Sequence, residues 1–119
     1  MNRIEIQRWP NKRRFLITNE HGSVQVDMLD EPQPTYEGSD RFYQAFLYAL
    51  WVDEDSRKDG IATSLLDTAE ECVRREGIDK VYLEWSLYES PHWVLDWYVR
   101  RGYNDVEFGN DNALLEKKL

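Results

Sequence analysis

Ile61, Ala62, Leu65, Leu66, Ala69, Cys72 and Val73 recur at helical spacing, and Gly77 supplies a stop. β-rich runs flank this helix, Phe42 to Val52 before it and Lys80 to Trp85 after it. This is the best-defined helix in the sequence, and the aromatic-rich run before it is long enough to cross the centre of a sheet. With 119 residues, 41% of them hydrophobic, there is enough apolar material for one modest core. Two domains would each be too small, and residues 1–119 read as a single domain.

The remaining elements follow from turn chemistry. Ile4 and Ile6 alternate with polar neighbours, and runs at Arg14 to Thr18 and Ser23 to Asp27 flank Asn19-Glu20-His21-Gly22, which reads as a four-residue hairpin loop. Asp30 to Asp40, with Pro32, Pro34 and Gly38, reads as a loop. Ser90-Pro91 predicts the N-cap and first position of a second helix, running to Arg101 and ending at Gly102. Tyr103 to Phe108 and Ala113 to Leu119 close the chain as strands around Gly109-Asn110-Asp111-Asn112.

Charge and cysteine content narrow the function classes. Residues 1–14 hold five basic residues and one acidic, whereas residues 15–55 hold nine acidic and one basic, Arg41. Such a stretch repels phosphate backbones, so nucleic acid is not the expected partner, and it either favours cationic partners or is simply a solvated surface. The sole cysteine, Cys72, allows no intramolecular disulfide, and no Cys/His cluster offers a metal site. Without an apolar leader or a run of eighteen apolar residues, no membrane association is expected, and a cytoplasmic location fits. A homodimer is compatible with the sequence.

The stretch Val52-Asp53-Glu54-Asp55-Ser56-Arg57-Lys58-Asp59-Gly60-Ile61-Ala62-Thr63 joins a strand to the main helix. A helix N-terminus exposes unpaired N–H groups at the positive end of its dipole, and the small residues Gly60 and Ala62 leave room for an oxygen-rich group. That makes a diphosphate cradle, although Asp59 as a plain N-cap accounts for the same pattern.

Val52, Arg57, Gly60, Ile61 and Ala62, followed by Leu65-Leu66 and Ala69-Glu70, resemble the acetyl-CoA signature of the GNAT superfamily of N-acetyltransferases. Downstream, Trp97-Tyr98-Val99-Arg100-Arg101-Gly102-Tyr103 resembles that family's later motif of an aromatic-Tyr pair, three residues, then Gly and another aromatic. Together the motifs cover roughly residues 44 to 119. The chain differs from the family pattern in Glu54, Lys58 and Pro91, and residues 1 to 43 show no counterpart of its two early helices.

The resemblance implies an α/β (α+β) fold: a mixed, mostly antiparallel sheet of about seven strands, splayed beside the 42–52 strand, with two main helices and an open acceptor side. It also implies acetyl-CoA (coenzyme A) as cofactor. Leu50, Trp51 and Val52 would face the pantetheine arm, and Arg57, Lys58, Asp59, Gly60, Ile61, Ala62 and Thr63 would wrap the pyrophosphate. Lys58, Arg100 and Arg101 are candidates for the cofactor's 3′-phosphate. Tyr98 falls where the family places the acid that protonates the departing thiolate. An amine must lose a proton to attack, so a carboxylate at the site is expected. Glu84 is the first candidate base, since an ionised side chain within Val81-Tyr82-Leu83-Glu84-Trp85 needs a reason to be there. Asp53, Glu54 and the Tyr48 hydroxyl are substitutes, and His92 reads as helix surface. The expected reaction is direct N-acetylation of a primary amine, for which a protein N-terminus, a lysine or a polyamine would suit the acidic stretch. A non-catalytic acyl-CoA-binding or partner-binding module is the alternative, and a purely structural domain a third.

Overall fold

The structure, a computed structural model, describes residues 1–56 and 60–119. Its strands are β1 Arg3–Trp9, β2 Lys12–Asn19, β3 Gly22–Pro34, β4 Phe42–Val52, β5 Lys80–Ser86, β6 Asn104–Phe108 and β7 Asn112–Lys118, and its two α-helices are α1 Ile61–Arg75 and α2 His92–Arg100. A short 3-10 turn spans Glu54–Ser56. The strands form one sheet in the order β1-β2-β3-β4-β5-β7-β6. Only β4 and β5 pair in parallel, so the expected fold class holds. No described helix is long and apolar enough to cross a membrane.

Connectivity places both helices. α1 joins the parallel neighbours β4 and β5, and α2 joins β5 to β6, which run parallel because each is antiparallel to β7. Both crossovers step the same way across the sheet, and right-handed crossovers then put both helices on one face. The contacts agree: Arg101, just past α2, pairs with Asp67 of α1, and Tyr103 reaches Glu70 of α1. That face carries the core, where Leu65, Leu66, Ala69 and Val73 of α1 pack on Ile17, Val24, Val26, Leu47, Leu83 and Leu115. The opposite face has no helix among the described residues. Between β1 and β2, where covering helices would have to start, stands only the Pro10-Asn11 turn. The 35–41 loop crosses part of this bare face, and Tyr82 there is buried yet stands outside the core cluster.

Three boundaries differ from the sequence reading. The first hairpin is tighter, since Asn19 pairs with Gly22 around Glu20-His21. The Asn19 side chain closes it by accepting the His21 N–H at 2.8 Å. β3 runs on to Pro34, so residues 30–34 are strand and not loop. The pairing slips between Met28/Ala45 and Gln33/Tyr43, and the interruption accommodates Pro32, which has no N–H to give. Gln44 Nε2 donates there to the Leu29 carbonyl at 3.0 Å. α2 begins at His92 with Pro91 in the capping position, and no side chain caps it, so Ser90 does not serve as N-cap.

Candidate active site

β4 and β5 pair through only Phe46 with Tyr82 and Leu47 with Leu83. Beyond Leu47, β4 stays with β3 but loses β5, so the two strands part. The cause lies in β4. Ser23 pairs with Trp51 and Gln25 with Tyr48, leaving Ala49 and Leu50 opposite the single residue Val24. Ala49 holds φ at 56°, the only described non-glycine residue with positive φ. Such a bulge bends a strand and raises its twist. An alanine in the left-handed region is strained by roughly 1–3 kcal/mol, and strain of this kind persists where the surroundings enforce it, often at functional sites.

The gap is a cavity of about 140 Å³ lined by β4 residues Tyr48, Ala49 and Leu50, by Glu84 and Trp85 of β5, and by Tyr98 of α2. Glu84 and Tyr98, the two candidate catalytic residues, therefore meet at one cleft. Glu84 is exposed. Tyr98 is 8% exposed, and burial pushes its phenol up to about 12, so it keeps its proton at neutral pH. Its hydroxyl has no hydrogen-bond partner among the described residues. Its ring packs edge-on against Trp97 at 5.2 Å and Tyr103 at 5.7 Å.

The candidate cofactor residues divide. Leu50 lines the cleft, Trp51 is exposed, and Val52 is buried in the core. Gly60, Ile61, Ala62 and Thr63 form the start of α1, whose first N–H groups have no acceptor within the helix. Gly60 has φ 76°, and an added Cβ would meet nothing within 4 Å. What glycine supplies there is the left-handed turn into the helix. Arg57, Lys58 and Asp59 lie outside the described residues. Arg101 is engaged with Asp67 and over the Trp97 ring, whereas Arg100 is exposed.

Sequence reasoning missed two features. The first is a brace on the β4–α1 connection. The Asp53 N–H donates to the His21 carbonyl at 2.7 Å, and the buried Ser56 hydroxyl meets His21 Nδ1 at 3.1 Å. Asp53 and Glu54 thus sit beside this brace and do not line the cleft. The second is Ala49, for which no sequence signal exists, because glycine or asparagine would be the residue expected at positive φ.

The other substitute base is also committed. The Tyr48 hydroxyl donates to Asp27 at 2.8 Å, and burial together with that carboxylate pushes it up to about 12. His92 is exposed with its ring tilted on Trp85 at 5.2 Å. Of the acidic stretch, Asp27 is paired with Arg14, and Asp30 with Arg13.

A second cavity of about 540 Å³ opens on the bare face, walled by Tyr36, Tyr43, Phe46 and Phe108, with Glu84 and Glu107 in its lining. Glu84 belongs to both cavities.

Comparison with known proteins bears on the family and the fold. A model described as Acetyltransferase (GNAT) family matches residues 5–103. S-(2-succino)cysteine N-acetyltransferase of Bacillus subtilis (strain 168) is 29% identical over 73 residues, which cover 57% of this chain and 44% of that protein. The chain thus spans less than half the length of the curated relative it matches. An acetyltransferase from Bacillus cereus ATCC 14579 superposes with a TM-score of 0.66 at 23% identity, over 91% of this chain and 73% of that one. PaiA N-acetyltransferase from Thermoplasma acidophilum, solved in complex with coenzyme A, gives a TM-score of 0.65 at 15% identity, over 92% and 62%. At these identities the superpositions speak for the fold.

Proposed function

The chain belongs to the acetyltransferase (GNAT) family, and from that premise we propose that it transfers the acetyl group of acetyl-CoA to a primary amine by direct attack, with both substrates bound at once. The observation that carries this reading is the convergence of Glu84 and Tyr98 on the cleft where β4 leaves β5. Bound there, acetyl-CoA supplies an activated acetyl thioester.

The chain offers what such a ligand needs. Among the described residues, Tyr48 to Trp51 of β4 pair with no strand on the β5 side, so their backbone can pair with an amide-bearing arm. The first turn of α1 presents N–H groups and a positive dipole end to a diphosphate. Leu50, Trp51, Val52, Gly60, Ile61, Ala62 and Thr63 are the described residues proposed to hold the cofactor, and Arg57, Lys58 and Asp59, outside the described residues, belong to the same proposal.

Glu84 takes the proton of the attacking amine, directly or through water, as the nitrogen–carbon bond forms. Backbone N–H groups along the parted β4 edge polarise the acetyl oxygen. Tyr98, protonated at neutral pH, gives its proton to the sulfur as the carbon–sulfur bond breaks. Holding amine and thioester together contributes the rest by orientation.

The Bacillus subtilis relative is named for an amino-acid acceptor, S-(2-succino)cysteine. The bare face here carries carboxylates of its own at Glu84 and Glu107, which favours a cationic acceptor. A second reading, an acyl-CoA-binding module without turnover, draws support from that same uncovered face. Calorimetric titration with acetyl-CoA, followed by a free-thiol assay over mixed amines, separates them. Binding with thiol release supports the transferase, binding alone the module, and absence of both sinks each.

A further inference from the structure

Glu84 lines both cavities, so its carboxylate is shared by the bare face and the β4–β5 cleft. The 540 Å³ cavity leads up to that point, and its walls are aromatic. Tyr43 and Phe46 pack edge to face at 5.8 Å, and the exposed Tyr36 and Phe108 share the lining with them. Ring faces of this kind attract ammonium groups and accept methylene chains.

The charge of the cavity is one-sided. Among the described residues no lysine, arginine or histidine lines it, while Glu84 and Glu107 do. Glu107 is held from behind: the Thr35 hydroxyl donates to its Oε1 at 3.4 Å and Arg41 Nε lies 3.4 Å from the same oxygen. Arg41 is shared, since its other arm reaches Glu116 Oε2 at 3.5 Å, which also accepts the Tyr82 hydroxyl at 2.5 Å. One guanidinium between two carboxylates leaves a net negative charge behind the cavity, and Glu84 adds another in front.

We infer that this cavity is the acceptor subsite and that it selects an amine with a second cationic nitrogen, a diamine or polyamine. The reacting nitrogen lies at Glu84, the methylene chain runs along the aromatic walls, and the distal ammonium pairs with Glu107. Acceptors bearing carboxylates beside the amine are repelled. The inference rests on the transferase reading for what Glu84 does, but the subsite can be tested by binding alone.

The test is calorimetric titration of the coenzyme A-loaded protein with spermidine, butylamine and glutamate, paired with thiol release from acetyl-CoA for the same amines. Spermidine is expected to bind at least about tenfold more tightly than butylamine, since each charge-assisted contact is among the stronger hydrogen bonds, and glutamate to show no binding. Glu107→Gln is expected to erase most of the spermidine preference. Phe108→Ala, at a residue 74% exposed, tests the wall where Glu107→Gln fails to fold, and should weaken spermidine severalfold. Equal affinity for spermidine and butylamine, no spermidine binding, or better binding of glutamate overturns the subsite, while thiol release with any amine leaves the transferase standing. Spermidine binding with no thiol release from any amine keeps the subsite and sinks the transferase.

Discussion

The Tyr103 hydroxyl donates to Glu70 Oε2 at 2.9 Å, tying the residue just past α2 to the middle of α1. Lys117 Nζ on β7 reaches the other oxygen of Glu70 at 2.8 Å. Glu70 is 4% exposed, so its charge stays inside only because both partners hold it. Burial and the Glu70 charge raise the Tyr103 phenol well above its usual value, so it always donates. Tyr103→Phe strips one oxygen of its partner and should cost about 1–3 kcal/mol. Lys117→Met leaves the carboxylate without its cation and should cost more, roughly 3 kcal/mol. Urea unfolding curves read both, and a Lys117→Met protein as stable as wild type would contradict the account.

His21 ties the β2–β3 turn to the β4–α1 connection through the Ser56 hydroxyl at 3.1 Å. If that connection holds the cofactor's diphosphate, loosening it should cost cofactor affinity more than global stability. His21→Ala keeps the backbone carbonyl that accepts from Asp53 and removes only the ring. The loss of one hydrogen bond, about 0.5–1.5 kcal/mol, predicts up to roughly tenfold weaker acetyl-CoA binding by calorimetry. Unchanged affinity would mean that the brace serves the hairpin alone.

Much of this was legible because the signals are local. The stripe from Ile61 to Val73 gave α1 its place, and Gly60 and Gly77 bounded it at φ 76° and 79°. A motif marks Tyr98 and a charge interrupting a β-rich run marks Glu84, and the two line the same cleft. The bulge at Ala49 was not, since it arises from register between β3 and β4 and alanine carries no preference for it. The strand through Pro32 and Pro34 was hidden for the opposite reason: proline reads as a breaker, and only the slipped pairing with β4 shows where its missing donor is harmless. Glu107 was invisible because its meeting with Thr35 and Arg41 depends on how the 35–41 loop falls against β6.

Asp27 sets one pH dependence. Burial alone would raise its carboxyl, but hydrogen bonds from Arg14 at 2.8 Å and Tyr48 at 2.8 Å, with the charges of Arg14 and Lys12, outweigh burial and hold it below the usual carboxylate range. A carboxyl lowered in the folded state contributes stability above its unfolded value, about 3.9, and loses it as pH falls through the folded value. Asp27→Asn should therefore flatten the loss of stability below about pH 4. The check is the urea midpoint followed from pH 5 downward in both proteins. Parallel curves would mean that other carboxylates govern acid unfolding.

Tyr98 offers the test that reaches the chemistry. Its ring is fixed by Trp97 and Tyr103, while its hydroxyl bonds to no described residue and opens on the cleft. Tyr98→Phe therefore keeps the packing and removes a donor that no described group depends on, so thermal stability and acetyl-CoA affinity should stay near wild type. A general acid typically contributes about 10²- to 10⁴-fold, and turnover should fall by that much. Glu84→Gln should also lower turnover, chiefly at lower pH, where the amine most needs a base. The two variants differ in what rescues them: raising pH should restore part of the Glu84→Gln rate but not that of Tyr98→Phe, because the departing thiolate still lacks its proton. Full activity in Tyr98→Phe would hand that proton transfer to water or another hydroxyl. An unfolded Tyr98→Phe would instead make the hydroxyl a structural group of the core.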